Sequence, residues 1–233
     1  MSNNMQTGIL VGASPLGSEE AFLKKCLEKG NCISVAADGG LSFFARNGIA
    51  PDYWIGDLDS ADEGVFTEAE EAFSQSEFIR LPREKDDTDM RICMLKLKES
   101  GVKTVLIFGG LGGERTDHTI ANIQLIHEFA EEGIRAILIS EKEYFYVLTA
   151  GTSVTYPKDA KGTVSVFSLT ETTEISIRDL YYEFEGILDC KRAMGVSNEF
   201  CKKGGTLKVS KGAALIVRLE SFSEDEEAFS GLL

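Results

Sequence analysis

Apolar positions follow two different patterns, which change at about residue 140 of the chain. In the first part, short apolar runs alternate with segments whose apolar residues recur at helical spacing. The runs predict strands at Gly8–Val11, Cys32–Ala36, Tyr53–Ile55, Phe78–Leu81, Val105–Phe108 and Ala136–Ile139. The periodic segments predict helices at Ser18–Lys29, Leu41–Asn47, Asp62–Phe73, Thr88–Glu99 and His118–Glu132. This alternation predicts a mainly parallel sheet with helices on both faces.

The second pattern consists of short β-rich runs separated by glycine and polar turns. It predicts strands at Tyr144–Leu148, Thr163–Ser168, Glu174–Ile177, Thr206–Val209 and Ala214–Leu219. We therefore predict an α/β domain over residues 1–142 and a smaller all-β domain over residues 143–233. The end of the second domain, after Phe222, is an acidic tail that we expect to be poorly ordered.

Composition narrows the class of protein. A chain of 233 residues with 43% hydrophobic content can bury a proper core. A formal charge of −14 argues against a broad grip on DNA or RNA, which needs clustered lysine and arginine. The five cysteines form no Cys-x-x-Cys pair, which disfavours a disulfide framework and a zinc site. No apolar run suits a signal peptide or a membrane span, so we expect a cytoplasmic protein.

Acidic residues follow the ends of the predicted strands. Asp38, the Asp57 and Asp59 pair, the segment Lys85–Asp89 and the loop Gly109–Asp117 each come directly after one. Ligands of parallel sheets bind at the carboxyl ends of the strands, so these loops should converge on one edge.

Crowded carboxylates point to a cation. Two of them at about 4 Å repel by roughly 4 kcal/mol at an effective dielectric near 20. Oxygen ligands without histidine favour Mg²⁺, which commonly also binds substrate phosphates, so a nucleotide is the expected substrate class. Asp57 and Asp59 would point the same way in an extended segment, whereas Ala61 and Asp62 rule out an EF-hand. The alternative for this pair is a solvated turn in which Ser60 caps the next helix.

Other polar groups carry weaker signals. Thr88 or Asp87 could simply cap the helix that follows them. The loop after the first strand lacks the lysine of a P-loop. The glycine-rich turn before Arg115, followed by a helix that we predict to be capped by Asp117, would suit a phosphate or be only a turn. His118 is a helix-start residue or a phosphate contact, and we expect Trp54 to be core.

Taken in order, these motifs strongly resemble the thiamine pyrophosphokinase family. The segments are Ala37-Asp38-Gly39-Gly40, Pro51-Asp52, Gly56-Asp57-Leu58-Asp59-Ser60, Lys85-Asp86-Asp87-Thr88-Asp89, Gly112-Gly113 with Arg115-Thr116-Asp117-His118 and Asn122, and Gly195-Val196-Ser197-Asn198-Glu199-Phe200. The resemblance implies an α/β catalytic domain, a C-terminal β-sandwich, and a homodimer that holds thiamine in clefts between its two chains. It implies an enzyme that moves a diphosphoryl group from ATP to the thiamine hydroxyl, leaving AMP and thiamine diphosphate.

The same resemblance implies roles for individual residues. Asp57, Asp59 and Asp89 would hold Mg²⁺, with Asp38 and Asp86 in support. Asp86 or Asp89 could instead accept the hydroxyl proton, so the implied catalytic set is Asp57, Asp59, Asp86 and Asp89. The implied substrate contacts are Asp38, Lys85, Thr88, Arg115, Asp117, His118, Ser197 and Asn198, of which Ser197 and Asn198 would contact thiamine.

One departure and two alternatives qualify this reading. Family members commonly have arginine directly after the Gly-Gly pair, and here Glu114 intervenes, which shifts Arg115. A haloacid-dehalogenase-type phosphatase also uses Asp-x-Asp after a strand, but it would leave Asp38 and the Gly195–Phe200 segment unexplained. A non-catalytic nucleotide- or thiamine-binding regulator would not require so many metal-site carboxylates.

Overall fold

A computed structural model describes residues 6–59, 62–113, 115–201 and 203–220. Ser60, Glu114 and the predicted acidic tail lie outside the described residues. The helices are α1 (Glu19–Glu28), α2 (Leu41–Asn47), α3 (Glu63–Ala72), α4 (Asp89–Glu99) and α5 (Thr116–Glu131), with a 3₁₀ turn at Asp38–Gly40. The strands are β1 (Thr7–Val11), β2 (Cys32–Ala37), β3 (Tyr53–Gly56), β4 (Glu77–Arg80), β5 (Thr104–Phe108), β6 (Arg135–Ile139), β7 (Glu143–Thr149), β8 (Ser153–Tyr156), β9 (Thr163–Ser168), β10 (Thr172–Arg178), β11 (Phe184–Asp189), β12 (Gly195–Glu199), β13 (Gly205–Lys211) and β14 (Ala213–Leu219).

The chain forms two compact units. The first comprises Met1–Leu125 with Leu138–Ser140, and the second Ile126–Ile137 with Glu141–Leu233. The predicted division into an α/β domain over residues 1–142 and an all-β domain over residues 143–233 stays a prediction.

A parallel sheet forms the centre of the first unit. Its strands lie in the order β5-β1-β2-β3-β4, and every pairing in this series is parallel. Successive residues of a strand point to opposite faces, yet Ile9, Leu10 and Val11 of β1 are all buried. Both faces of the sheet are therefore covered, and the predicted α/β class is confirmed.

The strand order reverses at β1, which lies between β2 and β5. In the register of these pairings, Val11 is level with Ala36 of β2 and with Phe108 of β5. The loops that follow β1, β2 and β5 thus begin close together at the carboxyl edge of the sheet. The approach is close: a Cβ on Gly40 would lie 2.0 Å from the backbone oxygen of Val11, so only glycine fits there.

The second unit contains two antiparallel β-layers. One has the order β7-β14-β9-β12 and the other β11-β10-β13-β8. The guanidinium group of Arg218 on β14 lies 5.0 Å from the ring centre of Tyr156 on β8, so the layers pack face to face. The predicted β-sandwich is confirmed.

Three strands of this unit, β8, β11 and β12, are missing from the sequence prediction. Ser197 and Asn198 lie in the last of these strands, β12. The β12 pairing with β9 shifts register between Gly195 and Asn198, and Ser197 has a positive φ of 59°. This bulge interrupts the alternation by which a strand is recognised.

All five cysteines are free thiols. Within the part of the chain that the structure describes, no helix is both long enough and apolar enough to cross a membrane.

Candidate active site

Three carboxylates come together at the carboxyl ends of β2 and β3. Asp38, Asp57 and Asp59 each offer one oxygen, and these oxygens lie within 4.8 Å of one another. Asp38 is buried, Asp57 half-buried and Asp59 exposed, so the group opens to solvent on one side. The predicted convergence of the loops after β2 and β3 is present.

Asp38 is fixed by the fold around it. Its backbone has a φ of +42°, and its carbonyl oxygen accepts a hydrogen bond from Trp54 Nε1 at 3.0 Å. Its Oδ1 accepts one from the Leu58 amide at 2.9 Å. Gly56 makes this approach possible, because a Cβ there would lie 2.6 Å from Asp38 Oδ1. Trp54 is fully buried against Phe66, which confirms it as a core residue.

Asp57 and Asp59 are brought together by a turn. The predicted extended segment is wrong, because β3 ends at Gly56 and both aspartates follow it. Leu58 has a left-handed φ of 65°, and the Asp59 amide donates to Asp57 Oδ1 at 3.1 Å. A hydrogen bond from a backbone amide to the side chain of an aspartate two residues earlier commonly stabilises a turn.

Lys85 joins this group to Asp89. Its Nζ lies 2.5 Å from Asp57 Oδ2 and 3.1 Å from Asp89 Oδ1. The hydrogen bond from Lys85 lowers the pKa of Asp57. Burial would lower the pKa of Lys85, but its hydrogen bonds to Asp57 and Asp89 outweigh burial, and the net pKa is raised. The pKa of Asp89 is raised because burial, with smaller contributions from Asp57 and Asp38, outweighs the contact with Lys85.

The remaining predicted residues of this segment lie around the start of α4. Thr88 is the N-cap, and its hydroxyl accepts from the Arg91 amide at 3.2 Å. Asp87 binds the Arg91 guanidinium with both oxygens, at 3.0 and 2.9 Å. Asp86 is exposed just before them. The helix-capping alternative therefore describes Thr88, and its predicted contact with substrate stays a prediction.

Two glycine-containing loops meet where the strand order reverses. The Ser14 amide donates to Gly109 O at 3.1 Å, and the Ser14 hydroxyl to Gly112 O at 3.4 Å. Asn122 Nδ2 donates to Gly110 O at 2.7 Å and ties the second loop to α5. Sequence reasoning missed the importance of the loop after β1, because only the strand order places it beside the loop after β5. Such a reversal is the usual ligand site of an open parallel sheet.

Arg115, Asp117 and His118 are exposed at the start of α5. The predicted N-cap at Asp117 is wrong, since α5 begins at Thr116 and Asp117 lies in its first turn. Arg115 donates to Asp117 through Nε at 3.0 Å and through a terminal nitrogen at 2.7 Å. This pairing lowers the pKa of Asp117 to about 2. The pKa of Arg115 is raised, mainly by the hydrogen bond and the charge of Asp117 and to a smaller extent by the charge of Asp59.

Ser197 and Asn198 lie in the second unit. The Asn198 side chain is 7% exposed and binds backbone: Nδ2 donates to Tyr182 O at 2.7 Å, while Oδ1 accepts from the amides of Tyr182 and Glu199, each at 3.0 Å. The Ser197 side chain is exposed, and its amide donates to Ser165 Oγ at 2.9 Å.

The carboxylate group fits a hard divalent cation. Asp38, Asp57 and Asp59 supply oxygen ligands only, and one open side leaves room for water or a phosphate, as Mg²⁺ prefers. Among the described carboxylates, Asp89 lies outside this close group and connects to it through Lys85. The predicted set Asp57, Asp59 and Asp89 stays a prediction, with Asp38 the better placed third oxygen.

Known proteins resemble this chain in sequence. The family model for the thiamin pyrophosphokinase catalytic domain matches residues 24–138. The thiamine pyrophosphokinase of Bacillus subtilis (strain 168) is 26% identical over 189 residues, which are 79% of this chain and 86% of that protein.

Solved structures share the fold. The crystal structure of thiamine pyrophosphokinase from Bacillus subtilis has a TM-score of 0.80 at 22% identity, covering 93% of this chain and 100% of that one. Yeast thiamin pyrophosphokinase has a TM-score of 0.77 at 16% identity, covering 94% of this chain and 87% of that one. The sequence matches confirm the resemblance of this chain to the thiamine pyrophosphokinase family that the motifs indicated.

Proposed function

We propose that this protein transfers a diphosphoryl group from ATP to the hydroxyl of thiamine, in the presence of Mg²⁺, giving AMP and thiamine diphosphate. The observation that carries the proposal is the group Asp38, Asp57 and Asp59, whose oxygens lie within 4.8 Å of one another at the carboxyl edge of the sheet. Similarity to the thiamine pyrophosphokinase family supports the substrates, since thiamine and pyrophosphate both appear in the name of that family.

The cation would be held by Asp38, Asp57 and Asp59, with Asp89 close by. When bound, Mg²⁺ supplies positive charge to the phosphate oxygens on which negative charge grows during transfer. Arg115 can add to this charge. Its pair with Asp117 is exposed to solvent, which weakens the attraction, so exchanging Asp117 for a phosphate costs little.

The nucleotide would lie over the loops after β1 and β5. Gly109, Gly112 and Gly113 all have positive φ, so the second loop turns sharply and keeps its backbone free of side chains. Asp86 or Asp89 would accept the proton of the thiamine hydroxyl. A raised pKa, as Asp89 has, suits a base that must hold a proton briefly.

A test of the reaction is product analysis with ATP, Mg²⁺ and thiamine. We expect AMP release that depends on thiamine and stops with EDTA, because the carboxylate group needs its cation to act on phosphates. Steady ADP formation would indicate a monophosphoryl kinase, and free phosphate a phosphatase. Turnover undiminished by the chelator would exclude the metal from the reaction.

The aspartates should govern turnover. We expect Asp57→Asn, Asp59→Asn and Asp89→Asn each to lower kcat at saturating Mg²⁺ by at least about a hundredfold, which is roughly 2.7 kcal/mol. Each variant should fold, since losing one crowded carboxylate relieves repulsion. Asp62→Asn is the matched control: it removes the same charge close by in sequence, and asparagine still caps α3. Near-normal turnover in all three variants would contradict the assignment.

Ser197 and Asn198 should differ in what they do. Asn198→Ala removes the hydrogen bonds from the Asn198 side chain to the backbone of Tyr182 and Glu199. We therefore expect the free energy of unfolding to fall by about 1–3 kcal/mol. Ser197→Ala removes an exposed hydroxyl and should leave stability unchanged. If both residues bind thiamine, both variants raise the KM for thiamine but not for ATP. A destabilised Asn198→Ala enzyme with normal thiamine KM would remove Asn198 from the site.

We also propose a homodimer in the cytoplasm, as the family resemblance implies. Exposed apolar side chains on the second unit support an interface: Tyr181 and Tyr182 are each 65% exposed, and Met194 and Val196 each 51%. Sedimentation at micromolar concentration should give twice the mass of the chain. Tyr182→Glu should shift the protein towards monomer, because a charge within an apolar interface is costly. A monomeric wild-type protein would contradict the proposal.

A further inference from the structure

Lys85 occupies an unusual position for a lysine. Its side chain is 14% exposed, and its ammonium group lies between the carboxylates of Asp57 and Asp89. The side chains of these two aspartates are 7% and 22% exposed. The contact joins the turn after β3 to the start of α4. A lysine held in this way at the carboxyl edge of the sheet bridges two of the converging loops.

Asp57 is shared between this lysine and the candidate cation site. Its Oδ2 faces Lys85 Nζ at 2.5 Å, while an oxygen of the same carboxylate lies within 4.8 Å of those of Asp38 and Asp59. Asp57 Oδ1 also accepts from the Asp59 amide. Both oxygens of Asp57 are therefore engaged in the metal-free protein.

A divalent cation at this group would oppose Lys85. The two positive charges repel each other across a short distance, because Lys85 contacts Asp57, one of the carboxylates that would hold the cation. The cation and Lys85 also compete for the negative charge of Asp57. Occupancy of the site and the Lys85–Asp57 contact are thus antagonistic, whereas Asp89 can continue to hold the lysine.

We infer that Lys85 is a resident counter-cation, which holds the carboxylates together without metal and gives up Asp57 to the divalent cation when it binds. Its ammonium group then becomes available to a polyphosphate. The second step rests on the proposed function, because it needs a nucleotide as substrate. The first step does not, since it concerns only the metal and the side chains of this chain.

The test is Mn²⁺ binding without nucleotide, counted by electron paramagnetic resonance of the free ion. Lys85→Met removes the competing charge at nearly constant length, so we expect the Kd for Mn²⁺ to fall at least about tenfold. Lys103→Met is the matched control. Lys103 is exposed just before β5, at the opposite end of the sheet, and its loss should leave the Kd unchanged.

Thermal unfolding gives a second readout. In EDTA, Lys85→Met should melt below wild type, because Asp57 and Asp89 lose their common partner. Saturating Mg²⁺ should raise its midpoint by more than it raises that of wild type, as tighter binding to the folded state requires. Lys85→Gln, whose amide can still donate to Asp57, keeps the test possible if the methionine variant does not fold.

Nucleotide binding should change in the opposite direction. At saturating Mn²⁺, both Lys85 variants should bind a non-hydrolysable ATP analogue severalfold more weakly than wild type, while Lys103→Met should not. Weaker binding of both metal and analogue would indicate a merely structural lysine and overturn the inference. An unchanged or raised Kd for Mn²⁺, or no Mn²⁺ binding by wild type, would overturn it too. If Mn²⁺ binding follows the prediction but the enzyme releases no AMP from ATP in the presence of thiamine, the proposed function fails. The counter-cation role of Lys85 then still stands.

Discussion

Repulsion between carboxylates is the constraint on which the arrangement of the first unit depends. Oxygens of Asp38, Asp57 and Asp59 lie close enough together to bind one cation. With a net charge of −14, the chain has fewer lysine and arginine residues than acidic ones to offset this repulsion. Like charges at such distances repel one another, most strongly where burial reduces screening by solvent. Without metal this cost must be carried by the rest of the fold, through rigid backbone and through Lys85.

The rigid backbone comes from packing beneath the site. Trp54 is buried against Phe66 and Phe78, with ring centres at 4.6 and 6.0 Å, and its indole nitrogen fixes the carbonyl of Asp38. Gly40 lets the turn after β2 press against Val11. Asp38 therefore cannot rotate away from its neighbours without disturbing the aromatic core. The site is pre-organised by the residues packed beneath it.

Sequence could predict much of this unit, for identifiable reasons. The bounds of α2 are those predicted, and its end is marked by Gly48 in a left-handed conformation. Buried strands such as β5 are continuous apolar runs and are equally visible. Strand order is not visible, because it depends on contacts distant in sequence, and so the meeting of the Ser14 loop with Gly109 and Gly112 was missed. The Lys85 bridge was missed for the same reason.

The second unit was harder to predict, because its signals are interrupted. The bulge at Ser197 breaks the alternation of β12, and the short β8 lies between turns. The same bulge gives the adjacent residues Ser197 and Asn198 different environments, since Ser197 is exposed and Asn198 is buried. Asn198 points inward and uses its amide on the backbone of Tyr182, so binding a ligand would require it to surrender those hydrogen bonds. Ser197 carries its hydroxyl to solvent at no such cost, and a polar ligand on this strand would therefore meet Ser197 first.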